Sequence, residues 1–386
     1  MSKVVIKDCE DYQVDRLISA INGGMAELGG WDQYIRPGMK ALLKVNLIGP
    51  KTSESAAVTH KEFVRALARI LKSRGCIVWV GDSAGGAIAG VAPTEKAFQV
   101  SGLAQVAQEE GIILKNFERE GVVAVSPPGN DQVKYYLAKP LFEADLVINL
   151  PKLKTHISCI YTGAVKNLFG CVPGLKKAGY HKEAPNPHDF GGILYDIHRC
   201  LKVGLHIIDG VTAMEGEGPS SGKVYPAHKI LFGRDPLALD AVAVKMLGLD
   251  LDNLPFFDVA REQGLGVSNL EQIEVVGDYR TIPALKNFKM PRVFGQYKNP
   301  KGKMFEFIIN FLKTRPRINR KRCKNCNLCV ESCPAQAIDR EAKRIDYGQC
   351  IECLCCHELC VYKAVEIKND NWLAGILMKP ALKKNR

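Results

Sequence analysis

Eight cysteines near the C-terminus fall into two copies of one spacing, which leaves little freedom to the segment that carries them. Cys323, Cys326, Cys329 and Cys333 read C-x2-C-x2-C-x3-C, followed by Pro334, and Cys350, Cys353, Cys356 and Cys360 repeat the run 27 residues later. This spacing wraps [4Fe–4S] clusters in two-cluster proteins. Thiolates hold iron well because both are soft, and three ligands on one tight loop can grip three corners of a cube. The fourth ligand of each loop crosses to the other cluster. The expected sets are therefore Cys323, Cys326, Cys329 and Cys360 for one cluster, and Cys350, Cys353, Cys356 and Cys333 for the other.

Other uses of cysteine fit less well. Zinc sites pair C-x2-C units a dozen or more residues apart, whereas each loop here carries a third and a fourth cysteine at cluster spacing. Structural disulfides belong to small chains in oxidising compartments. This chain has 386 residues, holds 14 cysteines and opens MSKVVIKD without a charged-then-apolar leader, so the expectation is a reducing, cytoplasmic setting. The repeat also runs past the ligands: the same shift lays Ala337-Ile338 on Ala364-Val365, a small apolar pair to pack on each cluster. Two departures stand out. Val361 occupies the position of Pro334, and Cys355 is an extra thiol beside Cys356, either a small buried hydrophobe or an alternative ligand.

The chain is too long for a ferredoxin alone, and its charge is divided along its length. Residues 286–386 hold 22 Lys and Arg against 9 Asp and Glu, while residues 1–285 hold 31 against 32. We expect an α/β domain over 1–285, a basic linker over 286–318, a two-cluster module over 319–369 and a basic tail over 370–386. The densest positive run is Arg315, Arg317, Arg320, Lys321, Arg322 and Lys324. It reads either as a solvated segment offsetting cluster charge or as a docking face for an acidic electron donor or acceptor. No nucleic-acid module accompanies it. No stretch is long and apolar enough to span a bilayer. Within the linker, Met304–Leu312 is amphipathic, and in the tail Trp372–Met378 is apolar.

Short apolar runs alternate with helical patterns over the first 285 residues. Expected strands are Val4–Ile6, Ala41–Val45, Ile77–Val80, Leu146–Asn149, Leu205–Ile208, His228–Phe232 and Ile273–Val276; expected helices include Lys61–Lys72, Ile193–Leu201 and Pro236–Leu247, the last with Asp235 as its cap. This order predicts a mostly parallel sheet covered by helices, followed by a small α+β ferredoxin-like module. In such sheets ligands bind beyond the carboxyl ends of the strands.

Four strand ends carry unusual polar residues: Lys44 and Asn46; Gly81-Asp82-Ser83 with Gly85, Gly86 and Gly90; Lys152, Lys154 and His156; and Asp209-Gly210 with Glu215 and Glu217. We expect them to share one site. Lys44, Asn46, Asp82, Ser83, Lys152, Lys166 and Asn167 would bind an anionic substrate, and Lys154, His156 and Asp209 would do the chemistry. Neighbouring cations would keep His156 neutral, as a general base requires. Cys159 and Cys171 are read as reactive thiols, as extra metal ligands with His156 or as inert core, and Asp209, Glu215 and Asp240 as acids, as metal ligands or as caps and ion-pair partners. The glycine loop matches neither common nucleotide motif.

The same segments resemble the "domain of unknown function 362" proteins, at Lys44-Val45-Asn46-Leu47, Gly81-Asp82-Ser83, Pro151-Lys152-Leu153-Lys154-Thr155-His156, Gly163-Ala164-Val165-Lys166-Asn167-Leu168-Phe169-Gly170, Asp209-Gly210 and Gly233-Arg234-Asp235-Pro236-Leu237-Ala238-Leu239-Asp240. The resemblance covers roughly residues 40–285. It implies the domain split and a C-terminal two-cluster module that some members carry, and it names no substrate. Two functions follow from the residues. In one, two [4Fe–4S] clusters relay electrons to a substrate or cofactor in the α/β domain, a ferredoxin-type oxidoreductase. In the other, the protein is a non-catalytic carrier, or an accessory handling clusters or metal, and its α/β domain serves for docking.

Overall fold

The computed structural model describes residues 1–85, 92–157, 159–174, 176–184, 186–291 and 314–369. Gly86 and Gly90 of the glycine loop, the Met304–Leu312 run and the 370–386 tail lie outside the described residues. The strands are β1 (Ser2–Asp8), β2 (Lys40–Lys44), β3 (Ile77–Asp82), β4 (Ile113–Asn116), β5 (Val122–Val125), β6 (Tyr135–Ala138), β7 (Leu146–Asn149), β8 (Lys152–His156), β9 (Ile160–Thr162), β10 (Leu205–Glu215), β11 (Lys223–Gly233), β12 (Ile273–Gly277), β13 (Thr314–Ile318) and β14 (Val365–Asn369).

The main sheet runs β12-β1-β11-β10-β7-β2-β3-β4, with β8 attached to β10 and β9 to β8. Its left-hand half of that order is mixed: β11 lies antiparallel between β1 and β10. From β10 through β7, β2, β3 and β4 every pairing is parallel. The fold is α/β, as expected. Alternation along the strands feeds two cores, one per face. Leu42 enters the core that also holds Leu237 and Val242, while Ala41 and Leu43 enter the core that holds Phe63, Leu67 and Leu71. The helix Lys61–Lys72 lays its apolar stripe on the second face, with His60 Nδ1 accepting the Glu62 N–H at 3.2 Å. The helix Pro236–Met246 begins as its sequence predicts, with Asp235 accepting the Leu237 and Ala238 N–H groups.

β8 is a strand beyond those expected, and β10 continues past Ile208 to Glu215 through a bulge between Gly210 and Thr212. Contacts reach into the segment expected as a linker from both sides. Lys289 donates its N–H to Glu215 at 2.9 Å and Tyr225 donates to the Lys286 carbonyl, while Thr314–Ile318 already pairs with β14.

The C-terminal module repeats in backbone as it does in sequence. Short helices Leu328–Glu331 and Cys355–Leu359 follow the two cysteine loops. Left-handed residues Asn325, Asn327 and Gln336 recur 27 positions on as Glu352, Leu354 and Lys363. Such φ values let a tight loop turn several side chains inward. Ala337 and Ala364 pack beside the loops and donate their N–H groups to Cys333 Sγ at 3.3 Å and Cys360 Sγ at 3.1 Å.

Candidate functional site

A crevice with a cavity volume of about 140 Å³ opens where β2, β3, β8 and β9 end, and the helix Cys355–Leu359 of the C-terminal module forms part of its wall. Its floor is polar and internally satisfied. Lys44 Nζ lies 2.9 Å from Asp82 Oδ1 and donates to the Val45 and Asn167 carbonyls. Asp82 also accepts the Leu47 and Ser83 N–H groups at 2.6 and 2.8 Å. Burial raises this carboxyl above its ordinary value, against the opposing pull of Lys44, Lys177 and the Leu47 N–H. A chain of amides follows: Asn46 Nδ2 to Asn167 Oδ1 at 2.8 Å, then Asn167 Nδ2 to Asn149 Oδ1 at 2.7 Å. Two glycines of the 163–170 motif admit this packing. A Cβ on Gly163 would lie 2.0 Å from Asp240 Oδ1, and one on Gly170 would lie 2.3 Å from Asp82 Oδ1 and 2.7 Å from Lys44 Nζ. Gly170→Ala should therefore cost about 1–3 kcal/mol through overpacking, read as a lower midpoint in a denaturant melt.

The β8–β9 hairpin supplies the reactive groups. Lys154 and His156 reach the crevice from β8, past a register shift in its pairing with β10 that separates them from Lys152, and Thr162 lies directly across the ladder from Lys154. Lys154 Nζ donates to Asn46 Oδ1 at 2.6 Å and to the Ala57 carbonyl at 2.5 Å. Burial, followed by the charge of Lys166, pulls its pKa down to about 7. His156 Nδ1 accepts the Cys159 N–H at 3.2 Å, so its neutral ring carries the proton on Nε2, 3.5 Å from Glu358 Oε1 of the C-terminal module. Burial first, then Lys166 and Lys154, holds His156 well below its ordinary value. The sequence expectation of a neutral His156 agrees in direction, but burial is the larger cause, and the proton position makes Nε2 a donor toward Glu358. Lys166 stands 5.2 Å from the Phe190 ring centre and 5.7 Å from that of Phe169.

Lys152 and Asp209 do not join this crevice. They form a fully buried pair at 2.8 Å, closed by Tyr12, which donates to Asp209 Oδ1 at 2.8 Å, and by the His60 N–H on Oδ2. The extended β10 carries Asp209 inside the sheet, where β8 pairs with it at Lys152. Asp240 accepts the Ala164 and Val165 N–H groups and Tyr161 Oη, and Glu215 accepts the Lys289 N–H. Cys171 is wholly buried and burial pushes its thiol up to about 12, the behaviour of an inert core cysteine.

Sequence reasoning missed several crevice residues, among them Thr162, Lys177, His181 and Glu358. Lys177 donates to the Ser83 hydroxyl at 2.6 Å, and burial lowers it to about 8. The lysine pair Lys176-Lys177 just after a Gly-containing turn was a weak signal for it. Glu358 had none, since it meets His156 only through domain docking.

The eight motif cysteines gather as two overlapping groups. After burial, the thiols that act most on Cys329 are Cys360, Cys326 and Cys323. A second, smaller space is lined by Cys333, Cys350, Cys353 and Cys356, together with Ala337, Ile338 and Cys355. Apolar walls with inward thiols suit a cubane cluster. Cys355 lines both this space and the crevice. Among the described residues, no helix is long and apolar enough to cross a membrane.

Comparison with known proteins agrees with this division. The family described as Domain of unknown function (DUF362) matches residues 41–245, and a 4Fe-4S dicluster domain matches residues 315–361. A thylakoid-associated protein of Synechocystis is 32% identical over 311 residues, covering 79% of this chain and 94% of that protein. Pyruvate synthase subunit PorD of Methanothermobacter marburgensis is 34% identical over 56 residues, 14% of this chain and 68% of that subunit. Among solved structures, the lactate racemase apoprotein of Thermoanaerobacterium thermosaccharolyticum aligns at a TM-score of 0.40 and 13% identity, covering 64% of this chain and 57% of that one.

Proposed function

Because this chain belongs to the family described as Domain of unknown function (DUF362) and ends in a 4Fe-4S dicluster domain, we propose that it is an iron–sulfur redox protein that delivers electrons to a small molecule in the interdomain crevice. The observation that carries this reading is the shared wall: the helix after the second cysteine loop lines the crevice through Cys355, Glu358 and Leu359. Cys323, Cys326, Cys329 and Cys360 would hold one [4Fe–4S] cluster, and Cys350, Cys353, Cys356 and Cys333 the other; the clusters supply one-electron transfer. Arg317, Arg320, Lys321 and Lys324 are exposed around the first loop, where Cys326 is also exposed, and offer an acidic low-potential carrier protein a docking face.

In the crevice, Lys154 and Lys166 hold the anionic group of the substrate. Lys154, with its pKa near 7, is the better proton source at neutral pH. His156 presents its Nε2 proton, and Lys44, Asp82, Asn46 and Asn167 fix the floor against which the substrate rests. Lys152 and Asp209 act at a distance, as the buried pair that anchors β8 to β10.

The test begins with anaerobic purification, iron and sulfide analysis, EPR before and after reduction, and mass spectrometry for a retained small molecule. About eight iron per chain, two reducible signals and a retained anionic compound are expected. Iron-free protein would overturn the redox reading. Electron transfer to a carrier protein that is indifferent to both Lys154→Ala and His156→Ala would make the large domain a docking module instead.

The pH dependence has a definite sign. Lys154 binds anions only while protonated, so anion affinity should fall as pH rises through about 7. The same depressed pKa means that folding expels a proton from Lys154 between about 7 and its ordinary value of 10.5, so its contribution to stability improves over that window. Calorimetric titrations and melts across this range check both.

A further inference from the structure

We propose that Lys154, Thr162 and Lys166 form an oxyanion subsite that takes the carboxylate of a small organic acid; this rests on the reading of the crevice as the substrate site. Thr162 is 3% exposed, lines the crevice, and among the described residues its Oγ1 has no hydrogen-bond partner. A buried hydroxyl without a partner is unfavourable, and it is tolerated where a ligand completes it. Its position is specific, because it stands across the β8–β9 ladder from Lys154.

The cations around it are also incomplete. An ammonium has three donors. Lys154 gives one to Asn46 and one to Ala57, which leaves one among the described residues. Lys166 has no carboxylate within ion-pair distance among the described residues and rests against Phe169 and Phe190. Lys154 and Lys166 lie near enough to repel each other, a cost that an anion between them would relieve. The acids facing the crevice are already engaged. Asp82 is held by Lys44 and two N–H groups, and Glu358 faces His156. Lys177 is taken by Ser83 and the Ala84 carbonyl. Leu47, Ile48, Phe169 and Leu359 supply an apolar surface in the same crevice. That surface favours an acid with a carbon body over a bare inorganic anion.

Full-length protein purified anaerobically would be titrated calorimetrically with benzoate, with uncharged benzamide and with inorganic phosphate. Thr162→Val and Lys166→Gln would be measured alongside, with cluster reduction followed by EPR on the same samples. Saturable benzoate binding is expected, with benzamide weaker by about tenfold or more, as loss of a charge-assisted interaction implies. Thr162→Val should weaken benzoate by about tenfold yet melt no lower than the parent, because it removes an unsatisfied hydroxyl at nearly constant volume. A purely structural Thr162 would leave binding unchanged, and that result overturns the subsite. So would absence of benzoate binding up to millimolar concentration, equal binding of benzamide, or phosphate binding tighter than benzoate. Failure of benzoate with both clusters still reducible removes the subsite and leaves the redox reading standing. The expected binding pattern with clusters that cannot be reduced does the reverse.

Discussion

Replacing Cys360 with alanine is expected to remove iron from the loop of Cys323, Cys326 and Cys329, and to spare the loop that carries Cys360 in sequence. The reason is spatial. Cys360 is almost fully buried, packs with Cys323, Cys329 and Cys356 around Ala364 and Val365, and receives the Ala364 N–H at 3.1 Å. Of the neighbouring thiols, it acts most strongly on Cys329. A cubane with one corner unligated is unstable in air and in chelator, so iron should fall by about half. The assignment is read by comparison: the EPR spectrum of reduced Cys360→Ala should match that of Cys326→Ala and differ from that of Cys353→Ala. A match to Cys353→Ala would refute the crossed ligand sets. The mirror experiment with Cys333→Ala should strip the other cluster.

The second large effect falls on residues that the sequence placed in the active site. Asp209→Ala should lower stability by about 3–5 kcal/mol, the cost of leaving a buried ammonium without its partner. Lys152 and Asp209 are both fully buried and 2.8 Å apart, and Tyr12 and the His60 N–H complete the carboxylate. Burial already lowers the Lys152 pKa, and Asp209 is the group that opposes this. Without it the lysine loses its proton or the sheet opens, and either outcome appears in thermal and urea melts. Binding of a crevice ligand, measured at a temperature where the variant is folded, should be unchanged. Lost binding with intact stability would return Asp209 to the site.

The contrast between Lys152 and Lys154 shows what the residues alone could convey. Both were legible as unusual charges beyond β7. Their separation was not, because it depends on a register shift in the pairing of β8 with β10 and on partners far along the chain. Charged residues at alternate positions argue against a buried strand when only local pattern is considered. The fold overrides that pattern by meeting each charge from elsewhere: Asp209 and Tyr12 receive Lys152, and Asn46 and Ala57 receive Lys154. The apolar runs Ala41–Leu43 of β2 and Leu146–Ile148 of β7 needed no such help and were readable directly. So was the helix Lys61–Lys72, whose apolar stripe has helical period.

By itself, the sequence determined the two cysteine loops, their internal repeat, the α/β character of the first 285 residues and the polar strand ends from which the crevice is built. These are local properties: ligand spacing within a loop, periodicity within an element, a cap beside its helix. Tertiary structure alone decided that Lys152 and Asp209 stay in the interior, that Thr162 faces Lys154, and that Glu358 of the cysteine module reaches His156. Each of these contacts joins residues brought together by strand register or by domain docking. Their energies come from excluding water around charges whose partners lie far along the chain, and no spacing rule encodes that.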